Sequence, residues 1–110
     1  MGDQGVEQGQ WPPPAAAFQG ALYFGETHLR RGDYGHAYRD FVRASGVAPG
    51  DEERELARGL VHLAAAGYKR ARGDDGGCER QLVHARARLE PYLPSAWNLN
   101  LVELLRVVTR

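Results

Sequence analysis

The sequence predicts an all-α fold: two stacked helical hairpins, tetratricopeptide-like in geometry, closed by a C-terminal capping helix, about five helices in all. Three observations carry this. The 110-residue chain has no isoleucine, and alanine, leucine and arginine dominate it; all three are strong helix formers. No stretch alternates apolar and polar residues over the length of a strand. From Ala15 onward, apolar residues recur three and four positions apart, the spacing of one helical face.

Residues 1–14 read as a disordered Gly/Gln/Pro-rich tail, ending in Trp11-Pro12-Pro13-Pro14, and residues 15–110 as a single helical domain. Consecutive prolines favour an extended polyproline conformation and cannot occupy a helix interior. The first helix is expected from Ala15 to Arg31, with Phe18, Leu22, Gly25 and Leu29 as its inward stripe. The second runs from Tyr34 to Ser45, with Tyr34, Ala37, Tyr38, Phe41 and Ala44 on one face. A loop holding Pro49 follows. Asp51 is placed to cap the third helix, and Glu52 and Glu53 suit the positive end of its dipole. That helix carries Leu56, Leu60, Leu63, Gly67 and Ala71 inward and ends near Arg72. The fourth spans Gly76 to Glu90 on the stripe Cys78, Leu82, Ala85 and Leu89, and Pro91 and Pro94 close it. Ser95 is expected to cap a fifth helix with Trp97, Leu101, Leu104 and Val108 inward.

The triplet Arg-Gly-Asp occurs at 31–33 and again at 72–74. Both copies fall where periodicity turns one helix into the next. Arginine in a last turn offsets the dipole, glycine takes the left-handed position that ends a helix, and aspartate suits the next N-cap. The offset from Arg31 to Arg72 is 41 residues, and it also places Ala37 on Cys78, Phe41 on Leu82, Ala44 on Ala85 and Gly25 on Ala66. The chain therefore reads as a duplicated hairpin. The first copy fits a tetratricopeptide pattern through Gly25, Gly32, Tyr34, Ala37, Phe41, Ala44 and Pro49. The second lacks equivalents of Tyr34 and Pro49, and the offset exceeds that family's 34-residue period. Shared hairpin geometry, not membership, follows.

Three segments resemble a small family known as domain of unknown function 309: residues 25–34 (Gly-Glu-Thr-His-Leu-Arg-Arg-Gly-Asp-Tyr), residues 58–66 (Arg-Gly-Leu-Val-His-Leu-Ala-Ala-Ala), and Arg72-Gly73-Asp74 through Leu89. The resemblance covers roughly residues 18–90 and implies a compact helical fold without an established activity. The chain departs from it where the family has His-Glu, because Tyr38-Arg39 stands there.

No nucleophile elbow, P-loop or dinucleotide fingerprint is present. No helix carries two histidines four apart, so no metal site and no cofactor are expected. Cys78 falls on an inward stripe and reads as a small core residue. Two functional readings remain. The first is a non-catalytic protein-interaction or self-associating module, binding a protein partner or forming a homo-oligomer. Its candidate interface is Leu99 and Val102, which fall off the main stripe of the fifth helix. The alternative is an enzyme or small-ligand-binding protein with a polar pocket between the second and third helices, lined by Glu26, Tyr38, Arg39, Arg58 and His62.

The formal net charge is zero, from 14 basic and 14 acidic side chains. This gives no general attraction to nucleic acid, and the basic run Lys69 to Arg72 reads as solvated helix surface. The neutral total is unevenly spread. Residues 1–53 hold 4 basic and 8 acidic groups, whereas residues 54–110 hold 10 and 6. The longest mostly apolar run, Gly59 to Tyr68, is too short to span a membrane. With no basic-then-apolar N-terminus, a cytoplasmic location is expected.

Overall fold

Two glycine-centred turns set the course of the chain. Gly32 and Gly73 both have left-handed backbones, with φ of 81° and 82°. Each ends a helix in the same way: the Asp33 N–H donates to the His28 carbonyl at 2.9 Å, and the Asp74 N–H to the Lys69 carbonyl at 2.9 Å. A side chain at either glycine would be strained, which is why both turns use glycine. The computed structural model describes residues 13–109. It contains α1 (Pro14–Arg30), α2 (Tyr34–Gly46), α3 (Asp51–Ala71), α4 (Asp75–Leu89) and α5 (Leu101–Thr109), with a short 3₁₀ turn, Glu90–Tyr92, after α4. The expected tail lies outside the described residues up to position 12; Pro14 is already the first residue of α1, where its missing N–H costs nothing.

The helices pack in sequence order: α1 on α2, α2 on α3, α3 on α4. The equivalences at the 41-residue offset hold in the packing. Ala37 and Cys78, Phe41 and Leu82, Ala44 and Ala85, and Gly25 and Ala66 are all buried. Leu22, Leu29, Leu56, Leu60, Leu63 and Leu89 belong to the same core. Three glycines let helices approach closely. A methyl group at Gly25 would overlap the Phe41 ring, one at Gly67 the Tyr34 ring, and one at Gly59 the Leu89 side chain.

The caps differ from expectation at two places. Asp74 accepts the Gly77 N–H at 2.8 Å and caps α4, but the Asp33 side chain makes no capping bond to α2. Gly50 occupies the N-cap of α3, so Asp51 is its first residue and joins Glu52 and Glu53 in the acidic first turn.

The larger correction is at the fifth helix. Residues 95–100 form a β-hairpin instead: β1 (Ser95–Ala96) pairs antiparallel with β2 (Leu99–Asn100). Trp97 and Asn98 make the turn, both with positive φ (51° and 63°). Two consecutive left-handed residues are the signature of the tightest hairpin turns, and asparagine tolerates that conformation well. The helix then starts at Leu101, where the Asn100 side chain accepts the Glu103 N–H at 3.0 Å. This overturns the expected interface at Leu99. Strand alternation points Leu99 inward, where it is 2% exposed, and leaves Asn100 outward. Val102, on the first turn of α5, does remain partly exposed.

α5 does not extend the stack beyond α4. It folds back across α1 and α3 and buries Leu101, Leu104 and Val108. The Arg70 guanidinium donates to the Val108 carbonyl and ties α5 to α3. Gln19 of α1 donates to the Trp97 carbonyl at 2.9 Å. Among the described residues, no helix is long and apolar enough to cross a membrane.

Candidate functional site

α5 lies on the side of α3 that carries Gly67, with Arg70 and Ala71 still exposed beside it, and the opposite face of α3 is open among the described residues. Ala65, Tyr68, Lys69 and Arg72 lie there, spaced as one helical stripe. α2 contributes Gly35 and Tyr38 to one wall, and α4 contributes Gln81 to the other, with Asp74 at the turn. Together they line a groove of 680 Å³.

Its chemistry is one-sided. Tyr38 and Tyr68 present aromatic faces and are 43% and 42% exposed. The Arg72 guanidinium sits over the Tyr68 ring, 5.4 Å from its centroid, and donates to its hydroxyl at 3.3 Å. A cation so placed stiffens the ring without neutralising its own charge. Lys69 approaches Asp74 at 3.9 Å, a loose pair, and Asp74 already accepts the Gly77 N–H through its other oxygen. The Gln81 carbonyl oxygen is 2.7 Å from Nδ1 of His62. The amide oxygen accepts in that pair from the Nδ1-protonated tautomer of His62. Tyrosine hydroxyls, an ammonium, a guanidinium and an amide converge here, and one carboxylate that already has partners. The groove is rich in donors and apolar area and poor in free acceptors.

Of the residues expected to line a pocket between the second and third helices, the structure brings Tyr38 to the groove and His62 to its edge through Gln81. The other three lie elsewhere. Glu26 pairs with Arg30 along α1 at 3.2 Å. Arg39 is exposed on α2. Arg58 pairs with Glu55 at 3.2 Å, and Arg88 reaches the other oxygen of that carboxylate at 2.7 Å. A simple side-by-side pairing of the helices groups these three residues by proximity; helical phase separates them. Tyr68, Lys69, Arg72 and Gln81 were missed. The spacing of Ala65, Tyr68, Lys69 and Arg72, opposite the Leu56–Leu60–Leu63–Gly67 stripe, was the available signal.

The histidines meet in cross-helix pairs that no sequence spacing shows. The His28 and His36 rings lie against each other, tilted by 32° with centroids 5.2 Å apart, and His62 and His84 do so at 31° and 5.1 Å. His28 Nδ1 donates to Asp40 at 2.7 Å, and Arg43 holds the other carboxylate oxygen at 3.1 Å. The buried Asp40 is thereby fully partnered. Among the described residues, no group of three or more histidine, cysteine or acidic side chains is arranged to hold a metal ion. Cys78 is buried on α4, and burial raises its thiol pKa above the usual 9.0, with Glu79 adding to the effect. A protonated, enclosed thiol is a poor nucleophile.

The fold and groove define a class: a pair of stacked helical hairpins, closed on one side by a C-terminal helix and open on the other through an aromatic, cationic groove. No family model, curated protein or solved structure matches the chain.

Proposed function

We propose that the protein is a non-catalytic interaction module whose α2–α3–α4 groove takes a segment of a protein partner that carries carboxylates beside an apolar or aromatic side chain. One observation carries the reading: the groove sets Tyr38 and Tyr68 beside Lys69 and Arg72 while Asp74, its one carboxylate among the described residues, is already engaged. Exposed tyrosine and arginine are the side chains that most often anchor interfaces. A carboxylate on the partner would displace the loose Lys69–Asp74 contact and gain a charge-assisted bond. The excess of basic groups in residues 54–110 lies on the same side of the sequence as the groove's cations and favours acidic segments at long range. A cytoplasmic setting suits this reading, and the resemblance to domain of unknown function 309 adds no activity to it.

Selection of random peptides on the immobilised full-length protein tests this. Enriched sequences are expected to combine Asp or Glu with Trp, Phe or Leu. Tyr68→Ala and Arg72→Glu should each weaken their binding about tenfold or more, as for anchoring residues, while Arg39→Glu leaves it unchanged. Enrichment without acidic residues, or binding indifferent to both groove variants, overturns the proposal. A second reading has one observation in its favour: a 680 Å³ groove also falls in the range of small-ligand sites. Full-affinity binding of a small aromatic carboxylate, with no gain from a longer peptide, would assign the groove to it.

A further inference from the structure

α1 is the first described element of the stack. It packs on α2 and touches α5, and among the described residues the side facing away from both is open. The terminal element of a helical stack normally carries polar residues on such a side. α1 does not. Its core stripe is Phe18, Leu22, Gly25 and Leu29, and the opposite stripe is Ala16, Gly20, Tyr23 and Thr27, with Phe24 alongside. Tyr23 and Phe24 are 61% and 53% exposed and pack edge to face with centroids 5.6 Å apart. The Thr27 hydroxyl is already bonded to the Tyr23 carbonyl at 3.0 Å. No charged side chain occurs from residue 13 to residue 25.

We propose that this face is a two-fold interface between two copies of the chain. The sequence around Gly20 is complementary to its own reversal. Phe24 lies four residues after Gly20 and Ala16 four before; Tyr23 lies three after and Ala17 three before. Two antiparallel α1 helices crossing at Gly20 therefore set the aromatic pair of each copy over the small residues of the other. Gly20 has open space beside it and brings the two backbones close at the axis. A two-fold contact needs one patch that fits itself, and the absence of charge from residue 13 to residue 25 means that neither copy strands an ion at the centre. Tyr and Phe side chains offer roughly 150–250 Å² each, so at these exposures each copy removes roughly 200 Å² of aromatic surface from water. The alanines, Pro13 and Thr27 from both copies bring the total towards ~1,000 Å², the lower bound of a specific interface. The dimer is accordingly weak and concentration-dependent.

Sedimentation of the full chain over a wide concentration range should show a reversible monomer–dimer equilibrium. Tyr23→Lys combined with Phe24→Lys should weaken it about 100-fold, the loss of two anchoring aromatics. Oxidative cross-linking fixes the geometry independently, because the native Cys78 is buried. Gly20→Cys, at the axis, should give a disulfide-linked dimer. Thr27→Cys should not, since antiparallel helices hold its two copies about 21 Å apart at 1.5 Å per residue, beyond the ~7 Å reach of a disulfide. A monomer at every concentration, a dimer indifferent to the lysine substitutions, or cross-linking at Thr27→Cys equal to that at Gly20→Cys overturns the proposal. A monomer would leave the face to the chain's own first residues or to a different protein.

Discussion

Gly20 and Gly25 occupy the same helix and differ in what lies beside them, which makes them a matched pair of probes. At Gly20 a methyl group meets nothing within 4 Å; at Gly25 it lands inside 3 Å of three carbons of the Phe41 ring. Alanine is about 1 kcal/mol better than glycine in a helix interior, and that gain is common to both sites. The difference between the two variants therefore isolates the clash. Phe41 is fully buried, so the ring cannot swing into solvent. Overpacking of this kind costs about 1–3 kcal/mol. Gly20→Ala should thus stabilise the dilute protein by up to about 1 kcal/mol. Gly25→Ala should lie about 1–3 kcal/mol below it. For a domain near this size, a gap of that order separates the melting temperatures by about 5–20 °C.

Thermal and urea melts followed by circular dichroism measure the gap. A second arm ties it to Phe41: in a Phe41→Leu background, the penalty at Gly25→Ala should shrink by about 1 kcal/mol, as expected for residues in direct contact. Equal stabilisation at Gly20 and Gly25 would refute the close approach of α1 to α2. An undiminished penalty beside Phe41→Leu would refute the assignment of the clash to that ring.

Three further outcomes are expected. Asp74→Ala removes a formed cap and should cost about 1 kcal/mol, whereas Asp33→Ala, with no capping bond to lose, should stay within about 0.5 kcal/mol; equal losses in urea melts would contradict the assigned caps. Leu99→Ala should cost about 2–5 kcal/mol as a core truncation and Val102→Ala under about 0.5 kcal/mol, and the reverse order would restore a helix at 95–100. Burial raises the Cys78 thiol and the Tyr92 phenol above their ordinary values of 9.0 and 10.0. The unfolded chain then loses those protons first, so the contribution of these two groups to stability is fully present below about pH 9 and is lost as pH rises through the raised values. Cys78→Ala should flatten the onset of that loss in melts taken from pH 8 upward.

The helical part of the fold was legible because its signals were local and mutually consistent. Periodicity placed four helices to within a residue or two, and the two Gly-Asp turns marked where each hairpin reverses. The 41-residue offset then paired buried positions that the packing confirms. The segment 95–100 failed for an equally local reason. Ser95 and the apolar residues after it satisfy a helix template, and the decisive competitor was Asn98 beside Trp97, a turn whose left-handed pair no periodicity reveals. The site was less legible because it is built across helices. Tyr38 comes from one helix, Tyr68 from the next and Gln81 from a third, and only the helical phases decide that they converge while Glu26, Arg39 and Arg58 do not. The histidine pairs have the same origin: residues 28 and 36, or 62 and 84, meet only once two helices lie side by side.

The position of α5 links the two proposed surfaces. In a stack of two hairpins, the side lined by the first helix of each hairpin is the natural concavity, and here α5 fills it by packing on α1 and α3. A partner segment is then left with the opposite side, where α2 and α4 flank α3. The outer face of α1 belongs to neither side; it is the end of the described stack. Two copies joined there keep both grooves free, because no groove residue comes from α1. Such a dimer presents two equivalent acceptors for acidic segments. A partner carrying two suitably spaced segments would gain the effective-concentration advantage of ~10²–10⁴ over a single engagement. The proposed self-association and groove binding, each modest alone, would thereby become mutually reinforcing. The apolar face of α1 and the donor-rich groove between α2 and α4 need no direct contact for one to strengthen the other.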